Sequence, residues 1–374
     1  MKDNIKATIK SLYMFILRLI PVSRRFKHYV VYVMTFNEND AGLTDRLFAE
    51  YGQRLLVLYG PNATQQANRL AKVGVQTLKL SAKSMVLHRG IAYLRGATTI
   101  VVDNYVAELA LVPDGTEVYQ VWHAAGAIKK FGWDDPATST RPISDQHRFQ
   151  QVYNKFTHIV VGSRKMGEIF QRAYRIPASR IMTTGFLRSD EYANMPKAEA
   201  TTDQRVLYVP TYRASDAEML AVLRQAFAAF AQVPDMQVVM KLHPTVKLET
   251  LPNMPKNVTI SKQELTHLMP QARVLITDYS SALFEYSLIV KTGRTIFFCP
   301  DIDDYRKTPG IQDDFTDWHI GKVVYTEAEL VTNLRHVDAL PCNNEDVNQM
   351  WNTYNDGYAV ARLYEEIVRR KMVE

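Results

Sequence analysis

The hydrophobic and polar positions of this chain alternate in a pattern that predicts short buried strands separated by amphipathic helices. Apolar runs of about four to eight residues rich in β-branched side chains predict strands, and longer runs with helical spacing predict helices. In the first half, strands are predicted at 28–36, 54–59, 75–80, 98–103, 117–121 and 158–162. Helices are predicted at 44–51, 64–73 and 83–95. Such alternation is typical of a parallel sheet covered by helices.

A second alternating set begins after a polar stretch at residues 195–204. Its predicted strands are 206–209, 237–242, 273–277 and 295–298, and its predicted helices are 217–231 and 282–290. Residues 344–371 predict one or two further helices. We therefore predict an α/β protein with two facing Rossmann-like domains, at 28–195 and 205–340. The C-terminal helices at 344–374 follow, and in such folds the last helix often crosses back to the first domain.

The N-terminal segment, residues 1–27, combines an apolar stripe with basic residues. The stripe has four-three spacing and consists of Ile5, Ile9, Leu12, Ile16 and Leu19. The apolar run is too short to span a bilayer and has no small-residue cleavage site, so we expect the segment neither to cross a membrane nor to be removed. The pattern suits an interfacial anchor on an anionic membrane surface. A helix packed on the first domain is the alternative.

Composition and charge narrow the classes of partner. The chain has 374 residues, 47% of them hydrophobic and 22% charged, which suits two globular domains. The formal net charge of +6 favours anionic partners. No nucleic-acid-binding motif or aromatic-plus-basic repeat is present, so we predict no nucleic acid and assign the charge to lipid and nucleotide phosphates. The two cysteines lack metal-ligand spacing, which predicts reduced thiols in a cytoplasmic protein.

Two histidines follow predicted strands, where ligands bind in doubly wound sheets. His123 comes after the strand at 117–121, and His243 follows the strand at 237–242, which Pro244 ends. Imidazole titrates near neutrality, so His123 could take a proton from a hydroxyl group that attacks phosphorus. His243 could donate to a phosphate oxygen. The alternative for each is a structural histidine at a strand end.

Several residues suit the binding of phosphate groups. Ser280 and Ser281 stand between a strand and a helix, where hydroxyl and free backbone N–H groups bind phosphate, although N-capping explains one serine equally well. Arg188 and Arg213 end strand-turn segments and could neutralise a diphosphate through bidentate contacts. The acidic residues between 301 and 314 match no calcium loop, so we predict no structural metal. These residue types together indicate phosphoryl-group transfer.

The ordered set of motifs resembles the CDP-glycerol glycerophosphotransferase family, whose members build wall teichoic acid and related poly(polyol phosphate) chains on a lipid carrier. The matching segments extend over roughly residues 100–335 and are 119–132, 185–190, 206–213, 241–244, 277–281 and 301–306, followed by Gly310 and Asp313. Polymerising members commonly read Trp-His-Gly-Thr-Pro-Leu-Lys where this chain has Trp122-His-Ala-Ala-Gly-Ala-Ile-Lys129, which is more similar to the shorter priming members. Glu285 stands where an aspartate is frequent.

The resemblance implies a GT-B architecture and transfer of glycerol phosphate from CDP-glycerol to an undecaprenyl-diphosphate-linked disaccharide, with release of CMP. It implies a peripheral enzyme at the cytoplasmic face of the membrane, with the priming step favoured. His123 is the expected general base, and His243 stabilises phosphoryl charge. The expected donor-side residues are Arg188, Thr211, Arg213, Asp278, Ser280, Ser281 and Glu285, and the expected acceptor-side residues are Gly126, Lys129 and Lys130.

Three alternative functions remain open. A polymerase or a CDP-ribitol-using member of the family would carry the same motifs. A GT-B glycosyltransferase would use a nucleotide-sugar and release UDP or GDP, and a lipid-surface scaffold would keep the fold without turnover. The sequence requires no cofactor, and a Mg²⁺ ion that accompanies the nucleotide stays open.

Overall fold

The chain folds around two parallel β-sheets, one in each of two units. The computed structural model describes residues 2–199, 203, 205–243, 246, 251 and 253–371. Unit 1 comprises the described residues within 1–124, 131–191 and 353–374, and unit 2 those within 125–130 and 192–352. The predicted boundary stretch, 195–204, is only partly described. The short segment 125–130 groups with unit 2, although the sequence pattern placed it in the first domain.

Unit 1 contains a seven-stranded sheet with the order β3-β2-β1-β4-β5-β6-β7, in which every pairing is parallel. Its central strands are buried on both faces, which explains their unbroken runs of apolar residues. The strands are β1 (Tyr29–Met34), β2 (Leu55–Tyr59), β3 (Gln76–Lys79), β4 (Ala97–Val102), β5 (Glu117–Gln120), β6 (His158–Val160) and β7 (Ile181–Met182).

The three helices predicted in unit 1 are present, one of them divided, and the helices at 143–155, 164–174 and 189–193 were not predicted. The helix predicted at 83–95 is divided because Arg89 has a φ of 56°, which a right-handed helix cannot accommodate. The α-helices up to the unit boundary are α1 (Lys2–Leu19), α2 (Leu43–Tyr51), α3 (Thr64–Lys72), α4 (Ala82–Val86), α5 (Gly90–Gly96), α6 (Ile143–Lys155), α7 (Arg164–Tyr174) and α8 (Ser189–Ala193).

Unit 2 contains a six-stranded parallel sheet with the order β10-β9-β8-β11-β12-β13. Leu223 and Phe230 of its longest helix pack with Tyr208 and Ile276 of the central strands. The strands are β8 (Arg205–Tyr208), β9 (Gln237–Met240), β10 (Val258–Ile260), β11 (Val274–Thr277), β12 (Arg294–Phe298) and β13 (Lys322–Val324). The α-helices are α9 (Asp216–Ala231), α10 (Leu265–Leu268), α11 (Ala282–Ile289), α12 (Ile302–Lys307), α13 (Glu327–Arg335) and α14 (Asn344–Trp351).

The last helix, α15 (Ala359–Lys371), belongs to unit 1. Its start is capped by Asp190, whose carboxylate accepts hydrogen bonds from the backbone N–H groups of Ala359 and Val360 at 2.8 and 2.9 Å. A carboxylate satisfies the unpaired amides of a helix start and favours the helix dipole. Leu363 and Ile367 continue into the core beside β1.

Helix α1 packs on unit 1 through a face that differs from the predicted stripe. Ala7, Met14 and Leu17 are buried. The stripe residues are exposed, from 41% at Ile16 to 67% at Leu19. The helix therefore contacts its own unit and also presents apolar residues to the surroundings. Among the described helices, none combines the length and the apolarity needed to cross a membrane.

Candidate functional site

The sequence-predicted residues are divided between the two units, and several of them follow the carboxyl ends of parallel strands. Unit 1 holds His123 and Arg188. Unit 2 holds the remaining candidates, Gly126, Lys129, Lys130, Thr211, Arg213, His243, Asp278, Ser280, Ser281 and Glu285. Parallel strands all end at one edge of their sheet, so residues far apart in sequence meet there.

His123 is half-buried in the turn that follows β5. Its Nδ1 atom lies 3.1 Å from the backbone carbonyl oxygen of Asp103. A carbonyl oxygen only accepts, so Nδ1 carries the proton and Nε2 is the basic nitrogen of the neutral ring. The imidazole stacks on Phe36, with ring centroids 4.5 Å apart, and contacts the Trp122 ring at 4.4 Å. The ring therefore has a defined tautomer and a defined orientation.

The turn that carries His123 has an unusual backbone held by polar side chains. Trp122 has a φ of 58°, in the left-handed region that non-glycine residues seldom adopt. The Asn39 side-chain amide donates to the Trp122 carbonyl oxygen at 2.6 Å, and the Trp122 N–H donates to Oε1 of Gln120 at 2.8 Å. Such a residue costs on the order of 1–3 kcal/mol and persists where its surroundings fix it.

Asp103 organises the loop that touches the histidine. It follows β4, is fully buried, and accepts hydrogen bonds from the Thr35 N–H at 2.9 Å, the Thr35 hydroxyl at 2.7 Å and the Phe36 N–H at 3.1 Å. Burial raises the pKa of the Asp103 carboxyl to about 6, and the hydrogen bonds from Thr35 and Phe36 oppose that rise. The sequence reading noted Asp103 only as the end of a strand.

Arg213 lies between two carboxylates in the interior of unit 2. Its Nη1 is 2.8 Å from Asp278 and its Nε is 2.6 Å from Asp301. The guanidinium also donates to the Thr211 carbonyl oxygen at 2.6 Å, and its carbon lies 5.1 Å from the centre of the Tyr279 ring. Protein oxygens thus engage most of its hydrogen-bond donors. The predicted contact of Arg213 with a diphosphate remains a prediction, and the structure shows that it orders two carboxylates.

Asp278 connects the end of β11 to the loop after β8. It accepts hydrogen bonds from the Thr211 N–H at 2.9 and 3.1 Å and from the Tyr279 N–H at 2.6 Å. Both Asp278 and Thr211 are buried. Three predicted donor-side residues, Thr211, Arg213 and Asp278, therefore form one hydrogen-bonded group. Tyr279 donates its hydroxyl to Asp301 at 3.0 Å and extends this group.

Lys129 interacts electrostatically with Asp278 and Arg213 of this hydrogen-bonded group. Burial lowers the pKa of Lys129, the Asp278 carboxylate opposes that change, and the Arg213 guanidinium adds to it. Burial also lowers the pKa of His243, and the positive charge of Lys129 adds to this effect. Lys129 and His243 therefore share one electrostatic environment with Asp278. His243 is partly shielded by its neighbours but still exposed to solvent, and its ring centre lies 6.0 Å from that of Tyr212.

The segment 125–130 is fixed within unit 2 by main-chain contacts. Lys129 forms an isolated antiparallel bridge with Ile311, and the Lys130 N–H donates to the Gly310 carbonyl oxygen at 2.9 Å. The Lys130 ammonium pairs with Asp313 at 2.6 Å. The resemblance assigned Lys129 and Lys130 to the acceptor side in the first domain. The structure instead groups them with the second unit.

Gly126 is required by a close approach to α11. A Cβ atom at this position would lie 2.3 Å from the Phe284 ring, and Phe284 is fully buried. At the start of the same helix, the Ser280 hydroxyl accepts the Ala282 N–H at 3.2 Å, whereas Ser281 makes no side-chain capping hydrogen bond. The Ser280 hydroxyl thus makes a local hydrogen bond from the position before the N-cap, Ser281, and phosphate binding by either serine remains a prediction.

The remaining observations concern two half-buried predicted residues, a cavity and metal binding. Glu285 lies half-buried in the first turn of α11, and Arg188 lies half-buried between β7 and α8. A cavity of about 430 Å³ in unit 2 is lined by residues after β12 and β13, among them Asp301 and Tyr325. Within the described part of the chain, no three His, Cys, Asp or Glu residues are placed to hold a metal ion. Pro244 lies outside the described residues.

Comparison with solved structures defines the class of fold. The structure of the wall teichoic acid polymerase TagF matches with a TM-score of 0.67 and 16% sequence identity, over 100% of this chain and 98% of that chain. The calicheamicin glycosyltransferase CalG4 matches with a TM-score of 0.57 and 13% identity, over 93% of this chain and 98% of that chain. The two parallel sheets and these neighbours confirm the predicted α/β fold of the GT-B class.

Comparison of sequences then gives the family. The model of the CDP-glycerol:poly(glycerophosphate) glycerophosphotransferase family matches residues 25–369, so the chain belongs to that family. The teichoic acid glycerol-phosphate primase of Bacillus subtilis (strain 168) is 28% identical over 331 residues, which cover 84% of each chain. The family predicted from the ordered motifs is thus confirmed.

Proposed function

We propose that this protein transfers glycerol phosphate from CDP-glycerol to a hydroxyl group of an undecaprenyl-diphosphate-linked disaccharide and releases CMP, in wall teichoic acid biosynthesis. The observation that carries the proposal is the hydrogen bond of His123 Nδ1 to a backbone carbonyl oxygen, which leaves Nε2 as the base. Membership of a glycerophosphotransferase family supports the donor. The priming step is supported by the likeness to a primase of similar length and by the Trp122-His-Ala-Ala-Gly126 sequence.

In the proposed reaction, the acceptor hydroxyl oxygen attacks the phosphorus atom that carries glycerol. His123 Nε2 takes the hydroxyl proton as the new phosphodiester bond forms and the bond to the CMP oxygen breaks. A positioned general base of this kind contributes about 10²–10⁴-fold to the rate. The leaving CMP carries the electron pair of the broken bond, and its charge must be stabilised by the protein.

Residues of unit 2 suit that stabilisation. Lys129 carries a positive charge near Asp278, and His243, whose pKa is lowered by burial and by Lys129, can donate a hydrogen bond from a neutral ring. Arg213 holds Asp278 and Asp301 in fixed positions, so the electrostatic environment is organised before the donor binds. The cavity beside Asp301 lies within the size range of small-molecule sites and offers room for part of the donor.

The products of the reaction test the donor and the number of units added. The native protein would be incubated with CDP-glycerol and a soluble lipid-linked disaccharide analogue, and the product masses measured. One added glycerol phosphate supports the priming step, whereas a ladder of masses indicates a polymerase. Turnover of CDP-ribitol in preference to CDP-glycerol, or of a nucleotide-sugar alone, would overturn the proposed donor.

We further propose that α1 places the enzyme on an anionic membrane surface. The exposed Ile9 and Leu12 lie on the same helix as the exposed Lys6, which matches the apolar and basic character of interfacial helices. The double substitution I9E/L12E is expected to abolish co-sedimentation with phosphatidylglycerol vesicles without unfolding the chain, since both side chains are exposed. Leu87→Glu, a change at an exposed leucine between α4 and α5, is the control. Unchanged co-sedimentation of the double variant would refute this role of α1.

A further inference from the structure

The loop after β1 supplies an aromatic surface for the His123 ring. The Phe36 and His123 rings are nearly parallel, with an interplanar angle of 19° and centroids 4.5 Å apart. The carbonyl oxygen that accepts from His123 Nδ1 belongs to Asp103. The Phe36 ring therefore fixes the plane of the imidazole, and the hydrogen bond to the Asp103 carbonyl oxygen fixes its rotation within that plane. Both depend on how the loops after β1 and β4 are placed.

The Asp103 side chain ties those two loops together. Strands β1 and β4 are neighbours in the sheet, and the carboxylate at the end of β4 accepts both backbone N–H groups of the Thr35-Phe36 pair. The Thr35 hydroxyl adds a third donor. A carboxylate can accept from all three groups, whereas an amide in its place would direct an NH₂ group at a backbone N–H. The position of the Phe36 ring thus depends on this single buried carboxylate.

The same arrangement occurs independently in unit 2. Strands β8 and β11 are neighbours, and Asp278, at the end of β11, accepts the backbone N–H of Thr211 after β8. The residue after Thr211 is again aromatic, Tyr212, and its ring lies beside the ring of His243. In each unit, an aspartate therefore holds a threonine that follows the adjacent strand, and the next residue places an aromatic ring beside a candidate histidine, stacked at 4.5 Å for Phe36 and tilted at 6.0 Å for Tyr212. A role in placing histidines explains this recurrence.

We propose that Asp103 and Phe36 are positioning residues for His123: Asp103 holds the loop after β1, and Phe36 fixes the plane of the imidazole. The proposal deepens the proposed function and rests on it, because it requires His123 to be the base. Misplacement of a reacting group by about 1 Å can cost about 100-fold in rate. Loss of either residue is therefore expected to act on kcat rather than on binding of CDP-glycerol.

The test compares kinetics and the state of the His123 ring in the full-length protein. Phe36→Leu and Asp103→Asn are expected to lower kcat about 10- to 100-fold, with KM for CDP-glycerol changed less than about twofold. Phe36→Tyr, which keeps the ring, is expected to stay within about threefold of the native kcat. The ¹⁵N shifts of the His123 ring should show protonation at Nδ1 in the native protein and a mixture of tautomers in Phe36→Leu. A merely structural loss of stability would leave the tautomer unchanged.

The matched control is Phe149→Leu. Phe149 is also half-buried against aromatic neighbours, Tyr105 at 5.1 Å and Tyr153 at 6.4 Å, and it lies on α6 without a ring contact to His123. Native kcat in this control, together with loss in Phe36→Leu, would support the proposal. Equal losses in both variants would overturn it, because they would reflect packing alone.

The variant His123→Ala distinguishes failure of the assigned base from failure of the positioning role. If His123→Ala keeps the native kcat, the assigned base is wrong and the positioning role falls with it. If His123→Ala loses activity while Phe36→Leu and Asp103→Asn keep native kcat and the native ¹⁵N pattern, the positioning proposal alone is overturned. Because Phe36 is half-buried, its variants decide the question even if Asp103→Asn does not fold.

Discussion

Replacement of Arg213 by methionine tests the buried charge group of unit 2. The change removes a guanidinium whose side chain is 2% exposed and leaves Asp278, also 2% exposed, without the cation that lies 2.8 Å away. Asp301, 25% exposed, loses its partner at 2.6 Å. Removal of one partner of a buried ion pair costs about 3–5 kcal/mol, because an uncompensated charge remains in the interior. We expect Arg213→Met to lower the free energy of unfolding of unit 2 by that amount.

The assay is equilibrium unfolding in urea, followed by circular dichroism. The double substitution R213M/D301N is the companion variant, since it removes one of the two carboxylates that lose their partner. The double variant should recover part of the stability, which makes the two changes non-additive. A loss below about 1 kcal/mol, the value typical of exposed ion pairs, would show that Arg213 does not compensate a buried charge. Strict additivity of the two substitutions would show that Arg213 and Asp301 do not stabilise each other.

Three further predictions address single contacts. Gly126→Ala should lower the free energy of unfolding by about 1–3 kcal/mol, because the new Cβ would meet the Phe284 ring; an unchanged urea midpoint would contradict this. Lys129→Met should raise the pKa of His243, which burial and the Lys129 charge lower, and an NMR titration that shows no rise would disprove the coupling. Asp103 has a folded-state pKa of about 6, above the 3.8 expected for the unfolded chain, so its contribution to stability falls as pH rises from about 4 to 6. The stability of the native chain relative to Asp103→Asn should therefore fall by about 3 kcal/mol over that range, and a constant difference in urea midpoint would refute it.

The sequence predicted ten of the thirteen described strands and missed β7, β10 and β13, although β6, also only three residues long, was predicted. β1 and β4 are buried along most of their length, so their apolar runs were visible. β7 has two residues, and β10 and β13 have three each, which is too short for a periodic pattern to emerge. Their places in the sheets follow from parallel pairing with neighbours, a tertiary effect.

The sequence also located residues of the site without showing the tertiary contacts that organise them. The motifs located His123, Arg213 and Asp278, because each follows a predicted strand. The partners that organise them come from distant segments: Thr35 and Asp103 are 68 positions apart, and Arg213 and Asp301 are 88 apart. Only the order of the strands brings such residues together. The fold and the family are confirmed, and the catalytic, donor-side and acceptor-side roles remain predictions.

His123 is the proposed base in glycerol phosphate transfer from CDP-glycerol. The most direct measurement is CMP release, with and without the lipid-linked disaccharide analogue, by the native protein, His123→Ala and His147→Ala. His147 is an exposed histidine on α6 and serves as the matched control. We predict acceptor-dependent CMP release that falls about 10²–10⁴-fold in His123→Ala and stays native in His147→Ala. No CMP release by the native protein would overturn the proposed transfer, and equal release by His123→Ala would show that His123 is not its base.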